Sequence, residues 1–115
     1  LGCGGLPEGH YMSGGLPVVM EGGLCYLENP DGTKGNIAGS VLTLAKGVKN
    51  VVDWGIASAD EAIRMATEVA ARSARIDRVC GSIKPGRAAD FVVFDHELNL
   101  RETYLAGETL GAPED

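Results

Sequence analysis

The sequence has 115 residues, of which 44% are hydrophobic and 23% charged, with a formal net charge of −6; that is enough chain for one globular domain and its core. Its carboxylates are scattered and its Lys and Arg form no cluster, which argues against nucleic acid as a partner. No apolar run approaches the roughly 20 residues needed to span a bilayer, so no membrane partner is expected.

In chain order, Leu1 to Gly9 reads as a Gly- and Pro-containing loop. Three short β-prone runs come next, Tyr11 to Ser13, Leu16 to Glu21 and Leu24 to Leu27, separated by Gly14-Gly15 and Gly22-Gly23. Gly pairs between such runs predict tight turns, hence a hairpin or small meander. Pro17 must then stand at a strand start or an edge. Asn29 to Gly39 is expected to be a second loop, opened by the Pro30-Asp31-Gly32 turn signature.

A first helix is predicted over residues 41–54. Thr43 is its expected N-cap, Leu44, Val48, Val51 and Val52 form its apolar face, and Gly55 stands at C′. Ser58-Ala59-Asp60-Glu61 is a capping box that opens a second helix, expected to reach about Ser73. Ala62, Ile63, Ala66, Val69 and Ala70 make its predicted buried stripe of mostly small residues. After a turn at Gly81 to Gly86, Phe91 to Phe94 is a continuous apolar run, as expected of a central strand covered on both faces. Leu98, Leu100 and Tyr104 share one side of the next strand, Ala106-Gly107 makes a tight hairpin, and residues 111–115 form a tail expected to be disordered.

Chemistry-bearing residues are sparse. His10 and His96, the two histidines, have no ligand-like neighbour at helix or strand spacing and read as surface residues, so no metal site and no catalytic group is assigned within the chain. Cys3, Cys25 and Cys80 form no CxxC pair; an odd count suits no complete disulfide framework, and a reducing, cytoplasmic compartment is expected. Cys80 has no adjacent histidine and reads as structural. Asp90 is expected to cap a turn or pair with Arg87, and Trp54 to be core. The Gly pairs lack the Lys-Ser/Thr of a phosphate cradle. A start without Met or the marks of a signal peptide, 17 Gly of which 11 fall in the first 40 residues, and strands with too few partners lead to the expectation of a piece of a larger protein.

Two segments carry a resemblance. Arg64 to Arg72, and Gly81-Ser82-Ile83-Lys84-Pro85-Gly86-Arg87-Ala88-Ala89-Asp90 followed by Phe91-Val92-Val93-Phe94-Asp95, resemble the C-terminal part of the amidohydrolase superfamily, whose members include dihydroorotases and cytosine deaminases. Ala38-Gly39-Ser40-Val41-Leu42-Thr43-Leu44, Gly47-Val48-Lys49-Asn50 and Gly5-Leu6-Pro7-Glu8-Gly9-His10-Tyr11 narrow it: they look like stretches of N-acetylglucosamine-6-phosphate deacetylases. Ala70 in place of a usual Pro, the absence of a common Gly in Arg75-Ile76-Asp77-Arg78, and the Leu1-Gly2-Cys3-Gly4 start depart from that family.

The resemblance implies an α/β fold, the C-terminal part of a (β/α)8 metal-dependent hydrolase barrel plus part of a small β-sandwich. Residues 1–77 would be the end of the barrel, with a β-hairpin insertion and two helices, and 78–115 the last strands of a composite sandwich. It implies a parent enzyme that hydrolyses N-acetylglucosamine 6-phosphate to glucosamine 6-phosphate and acetate. A divalent metal, zinc or similar, would be held outside this chain, and the family's strand-end aspartate would lie just ahead of Leu1. Ile37, Ala38 and Gly39 match a family loop whose backbone contacts the sugar; the alternative is that Gly39 serves only the turn into the first helix. The missing N-terminal part of the same protein and a second copy, in a homodimer, are the partners implied. Another amidohydrolase activity, deaminase or cyclic-amide hydrolase, or a non-catalytic module are the alternative readings.

Overall fold

The structure, a computed structural model, describes residues 4–111; Cys3 and the rest of the expected tail lie outside them. The chain divides into two compact units, Leu1–Thr43 and Leu44–Asp115. The expected division after residue 77 concerns the domains of a whole enzyme, which this clustering leaves open.

The first unit is an antiparallel meander of β1 (Gly9–Ser13), β2 (Leu16–Glu21), β3 (Leu24–Glu28) and β4 (Lys34–Ser40), in that spatial order. The two Gly pairs make the predicted turns, all four residues at positive φ. Pro17 lies beyond the β2–β3 ladder, which begins at Val18, so its missing N–H breaks no bond there. Alternate residues of β2 point inward, and Val18, Met20 and Cys25 form the buried core, with Leu6, Tyr11, Leu27 and Val41 packed against it.

β4 corrects the sequence reading. The expected loop over Asn29 to Gly39 becomes strand from Lys34. A stretch with two Gly and an Asn has weak intrinsic β preference; pairing with β3 supplies what propensity lacks. The Pro30-Asp31-Gly32 turn that delivers it is well tied. Asn29 N–H donates to the Thr33 carbonyl at 2.9 Å, and the Thr33 hydroxyl donates to Asp31 Oδ1 at 2.6 Å. The Thr33 hydroxyl and then its N–H hold the Asp31 carboxyl below its ordinary pKa.

The second unit opens with α1 (Leu44–Asp53). Its end is a Schellman motif: Ile56 N–H donates to the Val51 carbonyl and Gly55 N–H to that of Val52, with Gly55 at φ +69°. Val48 is buried as expected, but Leu44 is exposed. So is Trp54, which stands past the last helical residue and is not the core residue foreseen.

α2 (Ala59–Arg64) starts at the predicted capping box, Ser58 Oγ accepting from Glu61 N–H while the Glu61 carboxylate accepts from Ser58 N–H. The helix then widens into a π turn, Met65–Val69, before closing as α3 (Ala70–Ser73). The π turn carries an extra residue and rotates the positions after it. The predicted stripe therefore fails in its second half: Ala62 is buried, Val69 and Ala70 are exposed, and Ala71 is buried instead.

β5 (Phe91–Phe94), β6 (Leu100–Leu105) and β7 (Glu108–Thr109) form an antiparallel sheet in the order β5-β6-β7. The Phe91 and Tyr104 rings stack at 4.6 Å. Among the described residues β5 is an edge and Val92 and Val93 are exposed, so this chain does not itself supply the cover expected on both faces of that strand. The two sheets pair only antiparallel strands, so the described residues are a mixed α/β set in which neither a barrel nor a sandwich closes.

Candidate functional site

The three residues singled out for ligand contact sit together on β4, one of the two edge strands of the first sheet among the described residues. Gly39 pairs with Cys25 and Ile37 with Tyr26, which leaves Ala38 as an extra residue in a β-bulge. A bulge disrupts the ladder and re-aims the residues beside it. All three residues are exposed, Ile37 at 64%. An edge strand presents N–H and C=O groups along its open side, so this stretch can offer backbone donors and acceptors to a polar ligand.

Gly39 does not hold its place for conformational reasons. Its φ lies outside the left-handed region, and a Cβ there would meet only Cys25 Cβ, at 3.9 Å. It lies within a strand, not a turn, so the turn-only alternative loses its geometric basis.

The edge is anchored at its far end. Val41 N–H reaches the Gly23 carbonyl at 3.4 Å, and Gly5 N–H donates to the Val41 carbonyl at 2.9 Å. Ser40 Oγ accepts from Leu42 N–H at 2.9 Å. The two stretches read as signatures, Gly5 to Tyr11 and Ala38 to Leu44, are thus hydrogen-bonded to each other through residues distant in the chain.

The other candidates have structural partners. His10 Nδ1 stands 3.1 Å from Glu28 Oε2 on an exposed pair, and His96 is exposed beside Glu97. Cys80 is half-buried and its thiol reaches the Ile76 carbonyl at 3.5 Å. Asp90 Oδ1 accepts from Ala106 N–H at 2.7 Å, which ties the start of β5 to the β6–β7 turn; it does cap a turn, and does not pair with Arg87. Arg87 instead donates to the carbonyls of Asp77, Cys80 and Ser82 at 2.7, 2.9 and 3.3 Å, a clamp on the loop before β5 that sequence reasoning missed.

The most strongly perturbed carboxyl, Asp95, is likewise structural. Asn99, first through its side chain and then its N–H, with Arg101 and the Glu97 N–H, holds it far below the usual carboxylate range. A groove of about 750 Å³ in the second unit is lined by Ala66, Ala70, Val79, Phe91 and their neighbours. Its lining is mostly apolar, and its polar side chains are committed within the chain, Arg87 to carbonyls and to Ser82 Oγ, Thr67 to the Ile63 carbonyl and Asp90 to Ala106 N–H, so it lacks the convergent polar groups of a ligand site. Among the described residues no three His, Cys, Asp or Glu side chains group into a set that could hold a metal, and no helix is long and apolar enough to cross a membrane.

Comparison with known proteins defines the class. The Amidohydrolase family pattern matches residues 31–110, and the chain belongs to that family. Within it, the chain is similar to amino-sugar 6-phosphate deacetylases. It is 35% identical over 104 residues to the N-acetylgalactosamine-6-phosphate deacetylase of Escherichia coli O157:H7, covering 90% of this chain and 26% of that protein. It is 32% identical over 103 residues to the N-acetylglucosamine-6-phosphate deacetylase of Vibrio furnissii, covering 90% and 25%.

The crystal structure of the N-acetylglucosamine-6-phosphate deacetylase from Pasteurella multocida superposes with a TM-score of 0.75 at 28% identity, over 95% of this chain and 27% of that one. The enzyme from Mycobacterium smegmatis, in complex with N-acetyl-D-glucosamine-6-phosphate, gives 0.73 at 25% identity, over 97% and 29%. The chain thus spans about a quarter of the length of these relatives.

Proposed function

We propose that this chain is the C-terminal quarter of an enzyme that deacetylates N-acetylglucosamine 6-phosphate. The observation that carries the reading is that 95% of the chain superposes on a deacetylase of known structure at a TM-score of 0.75. In the reaction water adds to the acetamide carbonyl, the C–N bond breaks, and the amine leaves with a proton, giving acetate and glucosamine 6-phosphate. This chain's part is binding: the open backbone of residues 37–39 would hold the sugar close to the point where the chain begins.

The Gly5–Val41 bond supports that placement, because the resemblance puts the family's aspartate just ahead of Leu1. A divalent metal, zinc or similar, would be held by residues other than those described. The open edge of β5 would be covered by strands from the rest of the protein. The enzyme would act as a homodimer in the cytoplasm.

A second reading has its own support: the relative from Escherichia coli O157:H7, at 35% identity, is an N-acetylgalactosamine-6-phosphate deacetylase. The two substrates differ in one hydroxyl configuration, and acetate release from each, assayed side by side with the whole enzyme, tests both readings. A kcat/KM ratio above about 10 for the gluco sugar, some 1.4 kcal/mol of transition-state discrimination, supports the first; the inverse ratio supports the second. Release from neither sinks the deacetylase assignment.

A further inference from the structure

Strand β4 is longer than the strand it pairs with: the seven residues Lys34–Ser40 run against the five of Leu24–Glu28. Two residues must be taken up without partners. Ala38 is one. The other lies in Gly35-Asn36, both set against Leu27 between the pairs Tyr26–Ile37 and Glu28–Lys34. Ile37 therefore stands between two bulges, and its direction depends on both.

The lower bulge is tight. A Cβ at Gly35 would lie 3.0 Å from Asn29 Oδ1 and 3.1 Å from the Leu27 carbonyl oxygen. Neither obstacle yields easily. The carbonyl is backbone of β3, and the Asn29 amide is fixed by its Nδ2 donating to Thr33 Oγ1 at 3.0 Å. The φ of Gly35 is not in the left-handed region, so the demand for glycine is one of space. Gly39 differs, with an open position whose nearest heavy atom would be 3.9 Å from an added Cβ.

We infer that Gly35 is a positioning residue for the Ile37–Gly39 edge: by letting β4 close onto the Leu27 carbonyl, it sets where the backbone of residues 37–39 stands. The inference rests on the reading of that edge as the sugar contact. A Cβ at residue 35 would push β4 outward by a few tenths of an ångström and shift the edge, while residues that do the chemistry elsewhere stay in place.

The test uses the whole enzyme and whichever of the two acetylated sugar phosphates it hydrolyses, with KM, kcat and melting temperature measured for each variant. Gly35→Ala should raise KM about threefold to tenfold with kcat within about twofold, the pattern of a loss of binding common to ground and transition states. Asn29→Ala added to Gly35→Ala removes one of the two close approaches and should recover part of that KM; Asn29→Ala alone is the control for the lost Thr33 bond. If Gly35→Ala does not fold, the double variant against Asn29→Ala gives the same comparison.

Gly39→Val, which projects a side chain from the edge itself, separates this inference from the reading beneath it. If Gly39→Val raises KM while Gly35→Ala leaves KM unmoved and lowers only the melting temperature, Gly35 is structural and the inference falls alone. If neither moves KM, the edge is not the sugar contact and both fall. A loss of kcat in Gly35→Ala at unchanged KM also overturns it.

Discussion

The two units solve burial differently. In Leu1–Thr43 the four strands succeed one another in space as in sequence, and the core of Val18, Met20 and Cys25 is no more than 2% exposed. In Leu44–Asp115 the buried apolar residues are Val48, Ala62 and Ala71, all small or medium, while Trp54, Val79 and Ile83 stand in the open, Ile83 at 85%. A meander of tight hairpins brings its inward residues together with partners a few positions away. An amphipathic helix buries its stripe only where another element lies over it. Local sequence suffices for the first kind of core and not for the second.

The comparison can be broken most directly by emptying the first core. Met20→Ala should cost about 3 kcal/mol, the middle of the range for buried large-to-small changes. Amide hydrogen exchange would then quicken across β1 to β4 and stay unchanged in α1 to α3; equal acceleration in both units would show that they unfold together.

In the second unit the largest effect is expected not from a large apolar residue but from a close approach. A Cβ on Gly81 would lie 2.5 Å from Ala71 Cβ and 3.2 Å from the Thr67 carbonyl, at φ +87°. Overpacking together with backbone strain predicts a loss of about 2–3 kcal/mol for Gly81→Ala, seen in urea unfolding. A cost below about 0.5 kcal/mol, the level of an ordinary surface change, would mean that the loop need not press on the π turn.

Smaller still is the helix entry. Ser58→Ala removes the acceptor for Glu61 N–H and should cost about 1 kcal/mol, with exchange quickening only in the first turn of α2. The smallest effect has the opposite sign. Arg75 stands at φ +60° in a Schellman end, where Ile76 N–H donates to the Ala71 carbonyl and Arg75 N–H to that of Arg72. Arg75→Gly should stabilise by up to about 1 kcal/mol by relieving the left-handed strain, read as a small rise in melting temperature. A fall would mean that the Arg75 side chain contributes more than its backbone costs.

The same contrast separates the elements legible in the sequence from those that were not. The Gly-Gly turns, the capping box at Ser58, Gly55 at C′ and the Ala106-Gly107 turn are each decided by a few adjacent residues, and each stands where the sequence put it. β4 reads as loop because Gly35, Asn36 and Gly39 carry no strand signal; only β3, with its own edge to satisfy, makes it a strand. The stripe on the second helix is legible at Ala62 and lost by Ala70, because a period of 3.6 assumes an unbroken α-helix and Met65–Val69 is a π turn.

The sequence by itself determined the local elements, the family through Arg64 to Arg72, Gly81 to Asp95 and Ala38 to Leu44, and the identity of the three residues to inspect for ligand contact. Tertiary structure alone decided that those three lie on a doubly bulged strand at an edge of the described sheet, that Gly5 is bonded to Val41, and that Asp90 and Arg87 hold backbone rather than each other. The physical reason is range. Turns and caps are set by torsions and hydrogen bonds within about four residues. A bulge, an edge or a clamp depends on which distant backbone arrives beside it.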